Sequence, residues 1–182
     1  MRLICLPLAL VIAGCSADRS EAALAGRDAA FVQAFMSTCV RDFDNRTRIE
    51  AAAEVMKWKP ITDPNIRKML SPENGASVWK GWAFNHDGAS FMLAFSDAKI
   101  DAKPVSTCVL IAELDSVQAT KAHLVKLLSA KQTEKDDENG QHTEIWKFQA
   151  GSQQRLMSFI DADAMGMKTL NAGVSNDWTG TK

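Results

Sequence analysis

The chain has 182 residues and a formal net charge of −1, and 46% of its residues are hydrophobic. This length and composition are those of one globular domain with its own hydrophobic core. The 21 basic and 22 acidic residues form no basic stripe interleaved with aromatic side chains, so the composition disfavours nucleic-acid binding.

The N-terminal residues have the three parts of a secretory signal. Arg2 supplies one positive charge, residues 3–13 form an apolar run, and the small residues Ala13 and Gly14 precede Cys15. The apolar run is about half as long as a membrane-spanning helix needs to be. Residues 1–14 are therefore predicted to be a cleaved signal peptide rather than a transmembrane anchor.

The sequence Ile12-Ala13-Gly14-Cys15 resembles the lipobox of bacterial lipoproteins, in which an aliphatic residue and two small residues precede a cysteine. This resemblance implies that Cys15 is diacylated on its sulfur, becomes the first mature residue and is then N-acylated. Three acyl chains exceed the two signals that make membrane attachment stable. The alternative is a conventional signal that is cleaved one or two residues later, with Cys15 incidental.

The resemblance also bears on location and domain organisation. Ser16, rather than an aspartate, follows the lipobox cysteine, which in similar lipoproteins favours the outer membrane. We therefore expect a lipoprotein of the bacterial cell envelope that faces the periplasm and is held to the membrane by acyl chains on Cys15. Residues 15–26 are expected to form a lipidated tether, and residues 27–182 a single globular domain.

Cys39 and Cys108 are the cysteines that remain after the signal peptide and the lipidated residue are set aside. An even pair of cysteines in an exported chain favours a disulfide. Phe31, Phe35 and Cys39 recur every four positions, as on the buried face of a helix, and Cys108 lies in an alternating apolar strand pattern. We predict a Cys39–Cys108 disulfide; the alternative is two unpaired buried cysteines. The absence of a C-x-x-C motif disfavours a redox function.

Three helices are predicted before any strand, over residues 22–43, 47–57 and 62–70. Thr47 and Glu50 have the spacing of a capping box at the start of the second helix. Asp63 and Pro64 are the residues expected at the cap and first position of the third.

Three short apolar runs follow, over residues 77–85, 90–97 and 106–114. Their short connections favour an antiparallel meander, and the middle run is apolar on both faces, which predicts that both faces are covered. Ser116 is expected to cap a helix that extends to about residue 131. The polar residues 133–142 are predicted to be a solvated loop.

The C-terminal part is predicted to hold a hairpin of residues 143–150 and 154–162, turning at Gly151 and Ser152, and a weaker strand over residues 167–175. The order of elements predicts an α+β fold. In this fold, N-terminal helices pack on an antiparallel sheet made of a three-strand meander, then a helix, then a hairpin.

This layout, with F-x-x-x-F-x-x-x-C on the first helix and T-C-V-L-I on the third strand, resembles uncharacterised proteobacterial exported proteins. The resemblance covers about residues 30–160. It reinforces the disulfide prediction and implies no activity.

The sequence contains no recognisable catalytic or metal-binding motif. His86, His123 and His142 do not have metal-ligand spacing, and there is no nucleophile elbow or P-loop. We therefore predict no catalytic residue, metal or cofactor, and a non-catalytic module that binds an envelope protein or a small ligand. The alternative is an envelope enzyme whose site is assembled around His86 and Asp87.

The tryptophans divide into two groups. Trp79, Trp82 and Trp146 lie in predicted strands and are expected to fill the core. Trp58, which precedes Pro60, is compatible with either a buried or a displayed position. The alternative to core packing of these tryptophans is an aromatic ligand cleft.

Overall fold

The computed structural model describes residues 24–71, 76–100 and 102–177. The lipobox, Cys15 and most of the expected tether lie outside the described residues. The described helices are α1 (Gly26–Phe35), α2 (Arg46–Val55), α3 (Pro64–Met69) and α4 (Val117–Leu127). A π-helical turn, Met36–Arg41, continues α1. None of the described helices is long and apolar enough to cross a membrane.

In the described part of the chain, eight strands form one antiparallel sheet in the order β1-β2-β3-β4-β8-β7-β6-β5. The strands are β1 (Lys59–Pro60), β2 (Val78–His86), β3 (Ala89–Ile100), β4 (Lys103–Glu113), β5 (Lys131–Glu138), β6 (Gln141–Ala150), β7 (Gln153–Ala162) and β8 (Met167–Asn176). The predicted α+β class and antiparallel sheet are confirmed.

The strand order is mirrored about the central β4–β8 pair. One half runs from α2 through β1, β2, β3 and β4, with α3 between β1 and β2. The other half runs from α4 through β5, β6, β7 and β8. The strands β1 and β5 therefore occupy equivalent positions at the two edges of the sheet.

The sheet has a main core on the face that carries α1 and α4. Phe91, Leu93 and Phe95 alternate along β3 and pack in this core with Phe31 and Phe35 of α1. The intervening residues of β3 point to the opposite face, as the period of a strand requires.

A smaller apolar cluster lies on that opposite face of the sheet, which we call the outer face. Met92 and Ala94 of β3 pack there with Ile66 and Leu70, at α3 and its end. The prediction that both faces of this strand are covered is thus confirmed.

The predicted disulfide is present between Cys39, in the π-helical turn, and Cys108, in β4. Both cysteines are fully buried, and their Cα atoms are 5.3 Å apart. The bond joins the helical layer to one of the two central strands.

The helix caps agree with the sequence in two cases and differ in one. The side chain of Asp63 accepts a hydrogen bond from the Asn65 amide at 2.7 Å, and Ser116 accepts one at the start of α4. The predicted capping box at Thr47 is wrong. Asn45 is the cap of α2, because its short amide side chain, two residues earlier, already satisfies a free backbone amide of the first turn.

The prediction of a solvated loop over residues 133–142 is also wrong. These residues form β5, the turn at Asn139 and Gly140, and the start of β6. Both turn residues have positive φ, as a two-residue hairpin turn requires. Every residue of β5 is exposed, and a charged edge strand of this kind opposes pairing with other chains.

The C-terminal strand was predicted as a weaker strand that follows a hairpin, and its position in the structure is different. β8 lies at the centre of the sheet, between β4 and β7. Its buried residues Leu170, Ala172 and Val174 belong to the main core. The second half is therefore a four-strand meander.

The disulfide can be tested by replacing both cysteines with alanine. We expect the Cys39→Ala/Cys108→Ala variant to lose about 2–5 kcal/mol of unfolding free energy, because the unfolded chain loses a long-range crosslink. Urea unfolding measures this loss. Reduction should lower the wild-type value similarly and leave the variant unchanged; two free thiols in non-reducing peptide mapping of exported protein would contradict the assignment.

Candidate functional site

A cleft of about 620 Å³ opens at the end of the sheet nearest the β2–β3 turn, where Ala83, Met92 and Ile111 form its outer-face side. We call it the Trp58 cleft. It lies between residues 56–59, which follow α2, and the adjoining ends of β2, β3 and β4. Its apolar wall includes Met56, Trp58, Ala83, Met92 and Ile111. Its volume lies within the range of pockets that hold small ligands.

The segment that forms one side of the cleft is shaped by the end of α2. The amide of Trp58 donates to the carbonyl of Ala53, and the amide of Lys57 donates to that of Glu54. These two bonds define a Schellman motif, in which the residue after the cap adopts a left-handed conformation. Lys57 has a φ of 54°, where glycine is the usual residue.

An aromatic stack connects the cleft to the main core. The ring of Trp58 stacks on Phe84, with centroids 4.1 Å apart. Phe84 in turn lies 5.2 Å from Phe91, and Phe91 contacts Phe31 of α1. Phe84 and Phe91 face the main core, so the ring of Trp58 lies on the main-core face of the sheet, across from Met92 and Ile111, and the segment at residues 56–59 brings Trp58 beside the cleft.

The charges of the cleft are predominantly positive. Lys57 and Lys59 are exposed members of its lining, and neither forms an ion pair with a described residue. The one acidic residue of the lining, Glu113, is paired with Arg27 at 3.2 Å. Two uncompensated cations thus stand beside an apolar wall.

A second, smaller groove of about 270 Å³ lies further along the outer face, over β4, β6, β7 and β8. Its described lining includes Met69, Val109, Leu156 and Ile160 and no charged side chain. The Trp58 cleft therefore has charged groups that could orient a ligand, whereas the described lining of this groove has none.

The three histidines occupy separate places. His86 ends β2, and its imidazole Nε2 lies 3.5 Å from the carboxylate of Asp87 in the hairpin turn. Both side chains are substantially exposed, at 38% and 67%, and neither lines the Trp58 cleft. The described structure gathers no further carboxylate around this pair. His123 is half-buried on α4.

His142 was expected to be solvated, and the structure differs. It lies on β6, half-buried, and its Nδ1 is hydrogen-bonded to Asp137 of β5. The hydrogen bond from His142, together with one from Lys135, lowers the pKa of Asp137 below its usual range. This is an interaction between neighbouring strands. Across the described ranges, no group of three or more His, Cys, Asp or Glu side chains is placed to hold a metal ion.

A buried charge network lies away from the cleft, on the face that carries α4. Lys121 is only 4% exposed, and its ammonium donates to Glu144 at 2.7 Å and to Asp161 at 2.8 Å. The second oxygens of these carboxylates accept from the indole of Trp146 and from the amide of Asp163. Every carboxylate oxygen therefore has a partner, as a structural network requires.

The protonation of Lys121 follows from this environment. Burial alone lowers the pKa of its ammonium, but the hydrogen bonds to Asp161 and Glu144 outweigh burial, so the pKa is raised above its usual range. Lys121 is therefore charged at neutral pH and joins α4 to β6 and β7.

Breaking this network should be costly. We expect Lys121→Met to lose about 3–5 kcal/mol of unfolding free energy in urea, because two buried carboxylates lose their cation. The triple variant Lys121→Met/Glu144→Gln/Asp161→Asn should lose less, since it leaves no buried charge. The exposed control Lys68→Met should change stability by no more than about 0.5 kcal/mol. Equal losses in the single and triple variants would show that packing, not charge, dominates.

A scan against protein-family models and searches of curated proteins and of solved structures find no match to this chain.

The sequence offers an aromatic ligand cleft only as the alternative to core packing of the tryptophans, and it does not predict where such a cleft lies. Lys57, Lys59 and Met92 belong to no motif. The available signal was the sequence Lys57-Trp58-Lys59-Pro60, in which an aromatic residue flanked by cations directly follows a helix.

Proposed function

We propose that this protein is a lipid-anchored module of the bacterial cell envelope that binds a small apolar ligand, without catalysis, in the Trp58 cleft. The observation that carries the proposal is the open apolar cavity in whose described lining the charges of Lys57 and Lys59 are the unpaired ones. The lipid anchor is supported by the lipobox resemblance at residues 12–15.

The composition of the cleft supports binding rather than catalysis. Its described lining contains no histidine or cysteine. Ser90 and Thr169 supply the hydroxyl groups of the described lining, and that of Ser90 donates to the side-chain oxygen of Asn85 at 2.8 Å, not to a base. Nucleophilic catalysis needs a nucleophile beside a base that is itself oriented by a third group, and the cleft supplies no such set.

The lipid anchor can be tested by metabolic labelling. We expect the wild-type protein to incorporate labelled palmitate and to fractionate with the outer membrane, and Cys15→Ala to incorporate none, because the thiol is the acyl acceptor. Cys5→Ala should be labelled like the wild type. A mature protein that begins after Cys15 and carries no acyl mass would contradict the anchor.

The ligand-binding part can be tested with a neutral apolar probe, N-phenyl-1-naphthylamine. The protein used is the mature chain from Ser16, which is exported behind a conventional cleavable signal and can therefore be purified without detergent. This chain keeps the described main core, whose residues lie within 30–174. We expect saturable fluorescence with one probe bound per chain.

A substitution that fills the cleft tests whether the probe binds there. Ala83→Phe should weaken probe binding at least about tenfold, since the ring would fill apolar space that the probe otherwise occupies. The matched change Ala119→Phe, at an exposed position of α4, should leave binding unchanged. Equal binding by both variants, or no saturable binding by the wild type, would overturn the proposal.

A further inference from the structure

We infer that the ligand of the Trp58 cleft is a free fatty acid: one acyl chain lies against the apolar wall, and its carboxylate lies between Lys57 and Lys59. This inference rests on the proposed function and names its ligand class.

The charges select the head group. Lys57 and Lys59 flank Trp58 in the chain, so their Cα atoms are at most about 7 Å apart. Both ammonium groups can therefore reach one small anion. Because Glu113 is already paired with Arg27, the net local charge favours an anionic head over a neutral or cationic one.

The wall selects the tail. Ala83, Met92 and Ile111 lie side by side across β2, β3 and β4 and present aliphatic and thioether surfaces, and methionine side chains adapt to flexible apolar ligands. A compact head between two lysines and a continuous apolar wall together fit a single-chain amphiphile.

The position of the cleft relates it to the expected lipid anchor. Arg27, at the start of α1, contacts Glu113 in the cleft lining. Eleven residues lie between Cys15 and Arg27, and the twelve residue steps span at most about 43 Å. An acylated Cys15 would therefore keep the cleft end of the domain within about that distance of the membrane, whose lipids carry acyl chains of this kind.

The test is competition against bound N-phenyl-1-naphthylamine on the mature chain from Ser16, with each amphiphile kept below its micelle concentration. We expect dodecanoate to displace the probe with an affinity about tenfold higher than that of dodecyl maltoside, because two exposed ion pairs with the carboxylate together contribute about that difference in binding. Dodecyltrimethylammonium should be weaker still. High salt should remove the preference, and affinity should rise about fourfold per methylene from octanoate to dodecanoate.

The mirrored fold provides matched control variants. Ser129 ends α4 in the same Schellman geometry as Lys57, with a φ of 48°, and Lys131 begins β5 as Lys59 begins β1. Lys57→Gly/Lys59→Gln should reduce the ratio of dodecanoate to maltoside affinity to about one. Ser129→Gly/Lys131→Gln should preserve the ratio. Both glycine substitutions should raise the urea midpoint, because glycine favours this backbone conformation.

Each other outcome bears on a different part of the proposal. Probe binding without a preference for dodecanoate would overturn the fatty-acid inference but leave the proposed function in place. No probe binding would overturn both. A tenfold preference for dodecanoyl lysophosphatidate over dodecanoate would assign the cleft to a phospholipid head group, and displacement only by apolar peptides would assign it to a protein partner.

Discussion

The antiparallel pairing of β4 with β8 is the constraint on which the rest of the structure depends. It joins the two meanders, and its register sets Leu110 opposite Ala172 in the main core and leaves Ile111 on the outer face, beside the cleft. A slip of one residue would exchange these faces. On the other side of β8, a Cβ added at Gly173 would lie 2.7 Å from the hydroxyl of Ser158 in β7, so that side chain would have to move. The two faces thus have separate roles, one in stability and one at the candidate site.

The parts of the fold that sequence reasoning anticipated are those in which one local rule agrees with the tertiary environment. Cys39 and Cys108 lie at buried positions of regular patterns, and Asp63 and Ser116 are caps whose side chains satisfy backbone amides. The strand β5 was missed because a solvated, charged edge lacks the apolar alternation that marks a strand. The strand β8 was undervalued because its central position is decided by pairing with distant residues, not by its own composition.

The candidate site was less predictable than the fold for a related reason. Trp58, Ala83, Met92 and Ile111 come from four separate segments, and each is an ordinary structural residue in its own segment. Only the sheet order and the end of α2 bring them to one cavity. The N-terminal signal differs in kind, since a lipobox is read by processing enzymes as a contiguous sequence and therefore needs no tertiary context.

The turns that follow α2 and α4 are equivalent in the fold, so their comparison shows which residues the backbone geometry requires and which are particular to the cleft. Both α2 and α4 end in a Schellman motif that leads into an edge strand, and the second turn is built with Ser129 and Ala130. The backbone geometry therefore needs neither a lysine nor a tryptophan. At the first turn, Lys57 is exposed and in a conformation that costs roughly 1–2 kcal/mol for a residue other than glycine, and its ammonium contributes no described ion pair. Ser129 adopts the same left-handed conformation at the second turn, so the strain belongs to the turn, whereas an exposed cation beside a cleft distinguishes the first turn.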